Sequence, residues 1–284
     1  MSKIVLITGT STGLGIATAT QAAQAGHTVY ATMRNVQKRD TLDAAAKAAD
    51  VSLKVLQLDV QDTASVDAAV ETVIAEQGRI DVLINNAGTG YARTLEQAEE
   101  AEVHQILDVN YMGVVRCAKA VMPHMRKARS GHVINISSVG GLVGQPFNEI
   151  YCGAKFAVEG LTESMASYIT PSFGIHFTAI EPGGITSEFA NTVMDQFAKT
   201  GGMLEDEYLP ILQKYISGAQ NRRDSGVFQT ADEVAAVIMQ VMAAQQPPVR
   251  ARTSDWADTF TQLKTGLDPD GLKQQKIVVE QFLS

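Results

Sequence analysis

A tyrosine and a lysine lie four residues apart in the stretch "NEIYCGAKFAVEG", where Tyr151 precedes Lys155. Residues i and i+4 of a helix share one face, with Cβ atoms about 5–6 Å apart. A nearby cation lowers the pKa of a tyrosine hydroxyl, ordinarily about 10, so such a pair can donate and accept a proton near neutral pH. The same spacing also arises by chance as a polar turn on a helix face, so other residues must decide.

Carbonyl reduction needs a proton donor and groups that stabilise negative charge on the carbonyl oxygen. Ser138 ends the run "GHVINISS" and is placed to hydrogen-bond such an oxygen, although Ser137 competes for this role. Serine at a strand end is also a common cap or turn residue. Asn110 lies in the helical stretch "ILDVNYMGVVRCAKA", where asparagine is unfavourable, so its presence needs a structural or catalytic explanation.

Short runs rich in β-branched residues predict the strands that position these side chains. They are "KIVLITG", "HTVYATM", "LKVLQLDV", "IDVLINNAG", "GHVINISS", "IHFTAIEPGG" and a last short "PPVRART". Helical stretches such as "GIATATQAAQAG" lie between them and are closed by glycine. Buried strands that alternate with helices predict an α/β, doubly wound, Rossmann-type parallel sheet of about seven strands, with helices on both faces and ligands at the carboxyl ends of the strands.

The alternation of strands and helices stops over residues 186–226, which mix apolar and polar side chains. We call these residues the lid segment and predict that they form two or three short amphipathic helices over the strand ends. Residues 1–253, including the lid segment, are expected to form one dinucleotide-binding and catalytic domain. Residues 254–284 are expected to form a helical C-terminal extension, to which the sequence assigns no role.

A glycine-rich loop, "ITGTSTGLG", joins the first strand to the first helix. Glycines allow a tight turn and let a pyrophosphate approach the positive N-terminus of the helix. The position between a strand and a helix favours a dinucleotide site over a turn that binds nothing. The residues expected to line this site are Gly9, Thr10, Ser11, Thr12, Gly13, Leu14 and Gly15, with the three hydroxyls as further donors.

Composition excludes several classes of function. The chain has 284 residues and a formal net charge of −8, which argues against a basic surface for nucleic acid. Two cysteines indicate a reducing compartment without a disulfide framework. No apolar run approaches the ~20 residues of a membrane helix, and no leader with a cleavage site is visible. We expect a cytoplasmic protein with no nucleic-acid or membrane partner and no metal site.

Taken together, these motifs resemble those of the short-chain dehydrogenase/reductase family in its ordinary single-domain form, over roughly residues 3–250. "TGTSTGLG" is similar to the family's cofactor loop, "NNAG" to its mid-sheet motif, and "PGGITS" to the turn that receives the nicotinamide. The resemblance implies further cofactor-binding residues, namely Asn86, Ala87, Gly88, Pro182, Gly183, Ile185 and Ser187.

The resemblance also implies a catalytic tetrad of Asn110, Ser138, Tyr151 and Lys155. The 13-residue separation of Ser138 from Tyr151 is usual in the family and favours Ser138 over Ser137. By the same resemblance, Lys155 also binds the nicotinamide ribose, and Asn110 holds a water that relays protons. The implied reaction is reversible hydride transfer between the nicotinamide and a carbonyl or alcohol carbon, with Tyr151 as general acid and base.

The end of the second strand, "HTVYATMRN", bears on the choice of cofactor. An acid there bonds the ribose 2′-hydroxyl, whereas an arginine favours the 2′-phosphate. Met33 stands where NAD-preferring members of the family carry Asp, and Arg34 follows, so we predict NADP(H) rather than NAD(H). The alternative is that Arg34 is a solvated loop residue. Asp59, followed by Val60, resembles the family's adenine-contacting acid but is equally consistent with a loop cap.

The lid segment and "VYATMRN" look most like the hydroxysteroid- and retinol-type branch of the family. We therefore expect an apolar, fairly bulky ketone or alcohol, bordered by Tyr91, Phe147 and Asn148. The alternative is that the apolar residues of the lid segment simply pack on the sheet.

Two other functions remain open. One is a protein that binds NADP(H) and senses it without turnover; the other is a sugar-nucleotide epimerase or dehydratase, against which the G-x3-G-x-G spacing counts. The family often dimerises or tetramerises through the helices that carry Asn110 and Tyr151. We expect a homodimer, with a tetramer as the alternative.

Overall fold

A parallel sheet of seven strands forms the centre of the structure, a computed structural model that describes residues 2–186 and 203–283. Its order is β3-β2-β1-β4-β5-β6-β9, and β7 and β8 form a separate parallel pair. The strands are β1 (Ile4–Ile7), β2 (Thr28–Met33), β3 (Lys54–Gln57), β4 (Val82–Asn85), β5 (Gly131–Ile136), β6 (Ile175–Glu181), β7 (Ile185–Thr186), β8 (Gln229–Thr230) and β9 (Arg250–Arg252).

Helices connect the strands and cover the sheet. They are α1 (Gly13–Gln24), α2 (Asp40–Ala48), α3 (Thr63–Gln77), α4 (Glu100–Leu107), α5 (Gly113–Ala128), α6 (Glu149–Phe173), α7 (Leu209–Asp224), α8 (Ala231–Ala243), α9 (Asp255–Thr265) and α10 (Leu272–Phe282). Short 3-10 turns lie at Val36–Lys38 and Val139–Gly141, and a π turn at Asp108–Met112 joins α4 to α5.

The two faces of the sheet have separate apolar layers because successive strand side chains point in opposite directions. On one face, Leu6 of β1 packs with α3, α5 and α6. On the other face, Val5 and Ile7 pack with α1, α2 and α8. The doubly wound fold of about seven strands expected from the sequence is therefore confirmed.

The sheet contains a topological switch point between β1 and β4. The chain runs outward from β1 to β3 and then crosses back to β4 on the other side of β1. The helices that follow these two strands, α1 and α5, pack on opposite faces of the sheet. In folds of this kind, ligands bind at the carboxyl end of such a switch point.

The described part of the lid segment, residues 203–226, differs from the expected short helices because it contains one helix of 16 residues, α7. Residues 187–202 of the lid segment lie outside the described residues. Two helices, α9 and α10, lie within residues 254–283. The second of these packs on the body, since Gln275 Nε2 donates to the Ala166 carbonyl at 2.7 Å.

None of the helices in the described ranges is both long enough and apolar enough to cross a lipid bilayer.

Candidate active site

The loop between β1 and α1 depends on glycine. Gly9 and Gly13 have φ angles of +71° and +53°, in the left-handed region that favours glycine. A Cβ on Gly9 would lie 2.7 Å from Ala87 Cα, and a Cβ on Gly15 would lie 2.2 Å from the Gly9 carbonyl oxygen. Side chains at these positions would displace backbone, so the loop forms a cradle that only glycine can line.

The N-terminus of α1 faces this cradle with its backbone donors uncapped. Thr12 is the N-cap but makes no side-chain hydrogen bond to the helix, and the first turn contains no acidic residue. The first N–H groups of a helix have no partner within it and carry partial positive charge, which suits an anion. The loop therefore fits the pyrophosphate of a dinucleotide.

The side chains of the glycine-rich loop point in different directions. The Thr10 hydroxyl donates to the Thr32 carbonyl at 3.1 Å and is buried, which differs from the expectation of a phosphate donor. Leu14 points into the apolar layer beneath α1. Ser11 is partly buried and Thr12 is exposed, so these two hydroxyls are the ones left at the surface of the loop.

The turn after β4 clamps the glycine loop from the side. Asn86 Nδ2 donates to the carbonyls of Thr8 and Gly9 at 2.9 and 2.8 Å. In return, Thr8 Oγ1 accepts from the backbone N–H groups of Asn86 and Ala87, both at 3.0 Å. Sequence reasoning missed Thr8, whose only signal was a hydroxyl at the end of an otherwise apolar strand.

Tyr151 and Lys155 occupy one face of α6, with Lys155 Nζ 5.7 Å from the centroid of the Tyr151 ring. Lys155 is only 5% exposed, and its Nζ donates to the Ile136 carbonyl at the end of β5, at 2.8 Å. The Ser138 side chain hydrogen-bonds the Tyr151 hydroxyl. Ser138 Oγ also accepts from the Gly140 N–H at 3.0 Å. Ser138, Tyr151 and Lys155, three of the four predicted tetrad residues, therefore lie next to one another.

The competing serine faces another way. A Cβ on Gly141 would lie 2.7 Å from Ser137 Oγ and 3.1 Å from a carboxyl oxygen of Glu159, which places the Ser137 hydroxyl on the buried side of the turn. Ser138, not Ser137, is therefore the serine beside Tyr151.

Burial shifts the two ionisable groups in opposite directions. Burial raises the pKa of Tyr151 to about 12, while the hydrogen bond with Ser138 lowers it. Burial lowers the pKa of Lys155 to about 8, while the charge of Glu159 raises it. A cation beside a tyrosine favours ionisation of its hydroxyl, so a protonated Lys155 would lower the pKa of Tyr151.

Asn110 lies in the π turn between α4 and α5 and is fully buried. Its Oδ1 accepts from the Thr89 N–H at 3.0 Å, and its Nδ2 donates to the Thr89 and Ile106 carbonyls at 3.0 and 3.1 Å. Gly88 lies between this amide and the lysine, since a Cβ there would be 2.9 Å from Asn110 Oδ1 and 3.8 Å from Lys155 Nζ. Asn110 thus fixes the loop beside Lys155; the expected bound water stays a prediction.

The residues expected to choose the cofactor lie after β2 and β3. Arg34 and Lys38 are exposed and make no ion pair or side-chain hydrogen bond with the described residues, whereas Arg39 binds Asp43 at 2.7 Å. Asp59 Oδ1 accepts from the Gln61 N–H at 3.1 Å, as the loop-cap alternative requires. The side chain of Val60 is buried. An adenine contact by Asp59 stays a prediction.

The turn expected to receive the nicotinamide is fixed at several points. The Pro182 carbonyl accepts from the Val139 N–H at 2.9 Å. Gly183 lies against α9, because a Cβ there would be 3.1 Å from the Trp256 ring. Ile185 belongs to β7 and pairs with β8. Ser187 lies outside the described residues.

Two of the three predicted substrate residues, Phe147 and Asn148, contact Tyr215 of α7. Phe147 is 4% exposed and its ring centroid is 5.8 Å from that of Tyr215, while Asn148 Nδ2 donates to the Tyr215 hydroxyl at 2.9 Å. Tyr91 is 1% exposed, and its hydroxyl donates to Glu102 at 2.8 Å. In this arrangement the Tyr91 hydroxyl is bound by a residue of α4. The described part of the lid segment packs against Ala92 and Phe147, which lie outside the strands.

Known proteins of one family resemble this chain in sequence. The short chain dehydrogenase family matches residues 3–197. The chain is 36% identical to retinol dehydrogenase 8 of Bos taurus over 282 residues, which cover 95% of this chain and 86% of that protein. It is 36% identical over 273 residues to 3-ketodihydrosphingosine reductase of Bacteroides thetaiotaomicron, covering 96% and 95% of the two chains. Human 17-beta-hydroxysteroid dehydrogenase type 1 is 39% identical over 259 residues, with 89% and 77% covered.

Solved structures of the same family have a similar fold. A short-chain dehydrogenase from Streptomyces avermitilis has a TM-score of 0.74 at 28% identity, covering 99% of this chain and 98% of that one. ElxO with NADP bound has a TM-score of 0.73 at 27% identity, covering 89% and 97%. A short-chain dehydrogenase/reductase from Burkholderia phymatum in complex with NAD shares the fold, with a TM-score of 0.78 at 22% identity and 92% of each chain covered. The chain therefore belongs to the short-chain dehydrogenase family, in its hydroxysteroid and retinol dehydrogenase branch, and is an oxidoreductase of that type.

Proposed function

We propose that this protein is an NADP(H)-dependent reductase and dehydrogenase that interconverts a carbonyl and a secondary alcohol in an apolar, fairly bulky substrate, with Tyr151 as general acid and base. The observation that carries the proposal is the contact of Ser138 with the Tyr151 hydroxyl, one helical turn from the buried ammonium group of Lys155.

The chemistry of the protein's own residues follows from these contacts. A bound nicotinamide cofactor supplies the hydride for reduction and accepts it in oxidation. Tyr151 donates a proton to the carbonyl oxygen, and the Ser138 hydroxyl stabilises the charge on that oxygen. Lys155 spends one of its three N–H groups on the Ile136 carbonyl, which leaves two for the ribose hydroxyls and keeps a positive charge near Tyr151.

Cofactor binding is assigned to the glycine cradle, the open N-terminus of α1 and the turn at Pro182 and Gly183. Preference for NADP(H) is supported by the side chains of Arg34 and Lys38, which have no partner within residues 2–186 and 203–283, and by methionine rather than an acid at position 33. The similar solved structures include both an NADP and an NAD complex, so this preference is our inference from the residues.

An apolar, bulky substrate is supported by two observations. The described part of the lid segment contributes Leu212, with Tyr208, Tyr215 and Ile216, to an apolar cluster against Ala92 and Phe147. Retinol, 17-beta-hydroxysteroids and 3-ketodihydrosphingosine, which appear in the names of three relatives, are all large and mostly apolar. Opening of α7 away from Phe147 would present an apolar surface of the kind such molecules need.

We further propose that the protein is a cytoplasmic homodimer. Both cysteines are free and buried, which is consistent with a reducing compartment. An apolar groove of about 450 Å³ runs between α5 and α6, the helices through which the family often associates.

The experiment that tests the proposed function is the initial rate of NADPH and, separately, NADH oxidation with ketones graded from small aliphatic to steroid-sized. Turnover that requires NADPH and rises with ketone size supports the proposal. Tight NADPH binding without turnover of any ketone would instead favour a cofactor-binding sensor.

A further inference from the structure

Two buried carboxyl groups lie behind the catalytic lysine. Glu159 is one helical turn beyond Lys155 on α6 and is 5% exposed, and Glu181 is the last residue of β6 and is fully buried. The two carboxyls are close enough for each to influence the ionisation of the other. Neither residue belongs to the motifs through which the sequence resembles the family.

These carboxyl oxygens have few hydrogen-bond donors. Both oxygens of Glu159 and Oε1 of Glu181 are shielded from solvent and have no well-aligned donor within the described residues. The hydroxyl of Ser137 lies beside Glu159, but the contact is not well aligned. A buried carboxylate without donors is strongly unfavourable, and two side by side also repel.

A proton held between the two carboxyls removes both problems, because an O–H group of one donates to the other. The electrostatic surroundings agree with this assignment. Burial and the charge of Glu181 raise the pKa of Glu159 well above its ordinary value. Burial also raises the pKa of Glu181, although Arg252 opposes the shift.

The charges in direct contact with the pair and its arginines balance when one proton is present. These groups come from α6, β9 and α9 and are Lys155, Glu163, Arg250, Arg252 and Asp258. Arg250 binds Glu163, and Arg252 binds Asp258 at 2.5 Å as well as Glu181 at 3.1 Å. Within this set three cations face four carboxyls, and one proton on the buried pair makes the positive and negative charges equal. Asp268, between α9 and α10, is a further carboxyl near Arg250.

Each arginine already has a carboxylate on its outer side, since Asp258 and Glu163 are 58% and 42% exposed. The single negative charge left on the buried pair is therefore the one available to balance Lys155. Burial alone draws the lysine toward its neutral form, and Glu159 is the carboxyl whose charge opposes this.

We propose that Glu159 and Glu181 share one proton and serve as positioning residues, whose single negative charge keeps Lys155 protonated while Tyr151 exchanges its proton with the substrate. The inference rests on the proposed function, because it assigns the pair to the same reaction.

Infrared spectroscopy tests the shared proton without requiring turnover. At pH 8 exposed carboxyls are ionised, so a protonated-carboxyl C=O band must come from a buried group. We expect this band in the parent protein and its loss in both Glu159→Gln and Glu181→Gln, because a lone remaining carboxyl faces the arginines and ionises. A parent protein without the band, or a band that persists in both variants, would overturn the proposal.

The role toward Lys155 is tested by the pH dependence of alcohol oxidation in the parent, each single variant and Glu159→Gln/Glu181→Gln. Each single variant keeps one carboxyl, whereas the double variant has no negative charge behind the lysine. We expect the apparent pKa of the rising limb of kcat to increase by about one unit in the double variant, which is about tenfold in rate below that pKa, and by more than the sum of the single shifts.

Glu71→Gln, an exposed change on α3, is the control and should leave the profile unchanged. A double variant with the parent's pH profile would refute the role toward Lys155, even if its melting temperature fell. If the parent turns over no alcohol or ketone, the proposed function fails, and the infrared result still decides whether the pair holds a proton.

Discussion

Tyr151 is the residue on which the proposed chemistry depends most directly. Replacing Tyr151 by Phe removes the hydroxyl that contacts Ser138 but keeps the ring beside Lys155. Because positioned proton transfer contributes about 10²–10⁴-fold, we expect ketone turnover to fall by that factor while NADPH binding, followed by fluorescence titration, is retained. Tyr168→Phe, an exposed change on the same helix, is the matched control. Unchanged turnover in Tyr151→Phe would rule out the proposed acid.

Arg34 is the residue to which we assign the choice of cofactor. It is exposed, and Arg39 nearby is held by Asp43 and serves as the control. Hydrogen bonds to a charged group contribute about 1.5–3 kcal/mol, so Arg34→Ala should weaken NADPH binding by about 10–100-fold and barely affect NADH. Arg39→Ala should have a much smaller effect. Equal weakening of both cofactors by Arg34→Ala would show that the arginine does not read the 2′-phosphate.

Lys155 is held in a charged state that costs stability. Its pKa is lowered from 10.5 to about 8 by burial. Between these pH values the unfolded chain binds more protons than the folded one, so this group makes stability rise with pH, and its destabilisation is complete below pH 8. The pKa shift corresponds to a loss of about 3 kcal/mol in the free energy of unfolding. The hydrogen bond to the Ile136 carbonyl offsets about 1 kcal/mol of this loss.

Lys155→Met is therefore expected to be inactive, and its stability relative to the parent should be about 3 kcal/mol higher at pH 7 than above pH 10.5, because only the parent carries this linked proton. Urea unfolding of the cofactor-free proteins at both pH values measures this. Lys47→Met, an exposed change on α2, should show no such change with pH. A stability difference between Lys155→Met and the parent that is the same at both pH values would contradict the assignment.

At the scale of elements, a series of buried polar side chains joins β4 and β5 to α6, the helix that carries Tyr151. Asn85 of β4 donates to Asn135 of β5 at 2.8 Å, Asn135 donates to Thr162 of α6 at 2.9 Å, and Thr162 donates to the Val158 carbonyl. All three side chains are buried. These hydrogen bonds fix the position of α6 along β5 and therefore the position of Tyr151 relative to Ser138.

Thr162→Val keeps the shape but leaves the Asn135 amide without an acceptor. A buried unsatisfied group costs about 1–3 kcal/mol, so urea unfolding should show a loss of that size. Thr72→Val is the matched control, because Thr72 makes the same bond to the residue four positions earlier but is exposed on α3. A loss as large in Thr72→Val would mean that helix propensity, not the series of buried polar side chains, explains the effect.

At the scale of the whole molecule, the groove between α5 and α6 bears on the proposed dimer. It is lined by apolar residues that include Val115, Leu161 and Met165, with Lys119 and Arg126 also present. Leu161→Lys places a further positive charge beside Lys119 and Arg126, which is costly in a buried interface. Sedimentation should show the parent at twice the 30.4 kDa chain mass and Leu161→Lys as a monomer. Leu263→Lys, on the exposed side of α9, should stay dimeric. A parent that sediments as a monomer would refute the proposed interface.

Much of the fold could be predicted from patterns of residues that are close together in the sequence. The buried strands, the glycine that ends α3 with a φ of +73°, and the glycine cradle all depend on residues close together in the chain. Tyr151 and Lys155 were also predictable as neighbours, because four residues make one helical turn. The length of α7 was not, since an amphipathic stretch broken by polar residues does not specify whether it forms one helix or several.

The amino-acid sequence by itself thus determined the alternation of strands and helices and the place of the phosphate loop, because these follow from periodicity and glycine positions, while the tetrad was implied by the resemblance to the short-chain dehydrogenase/reductase family. Only the tertiary structure decided that Ser137 lies on the buried side of its turn, that Thr8 and Asn110 hold the loops of the site, and that Glu181 meets Glu159 behind Lys155. Each of these contacts joins residues far apart in the chain or depends on which way one side chain points after the sheet has formed. Packing across the sheet sets such contacts, and no local pattern carries them.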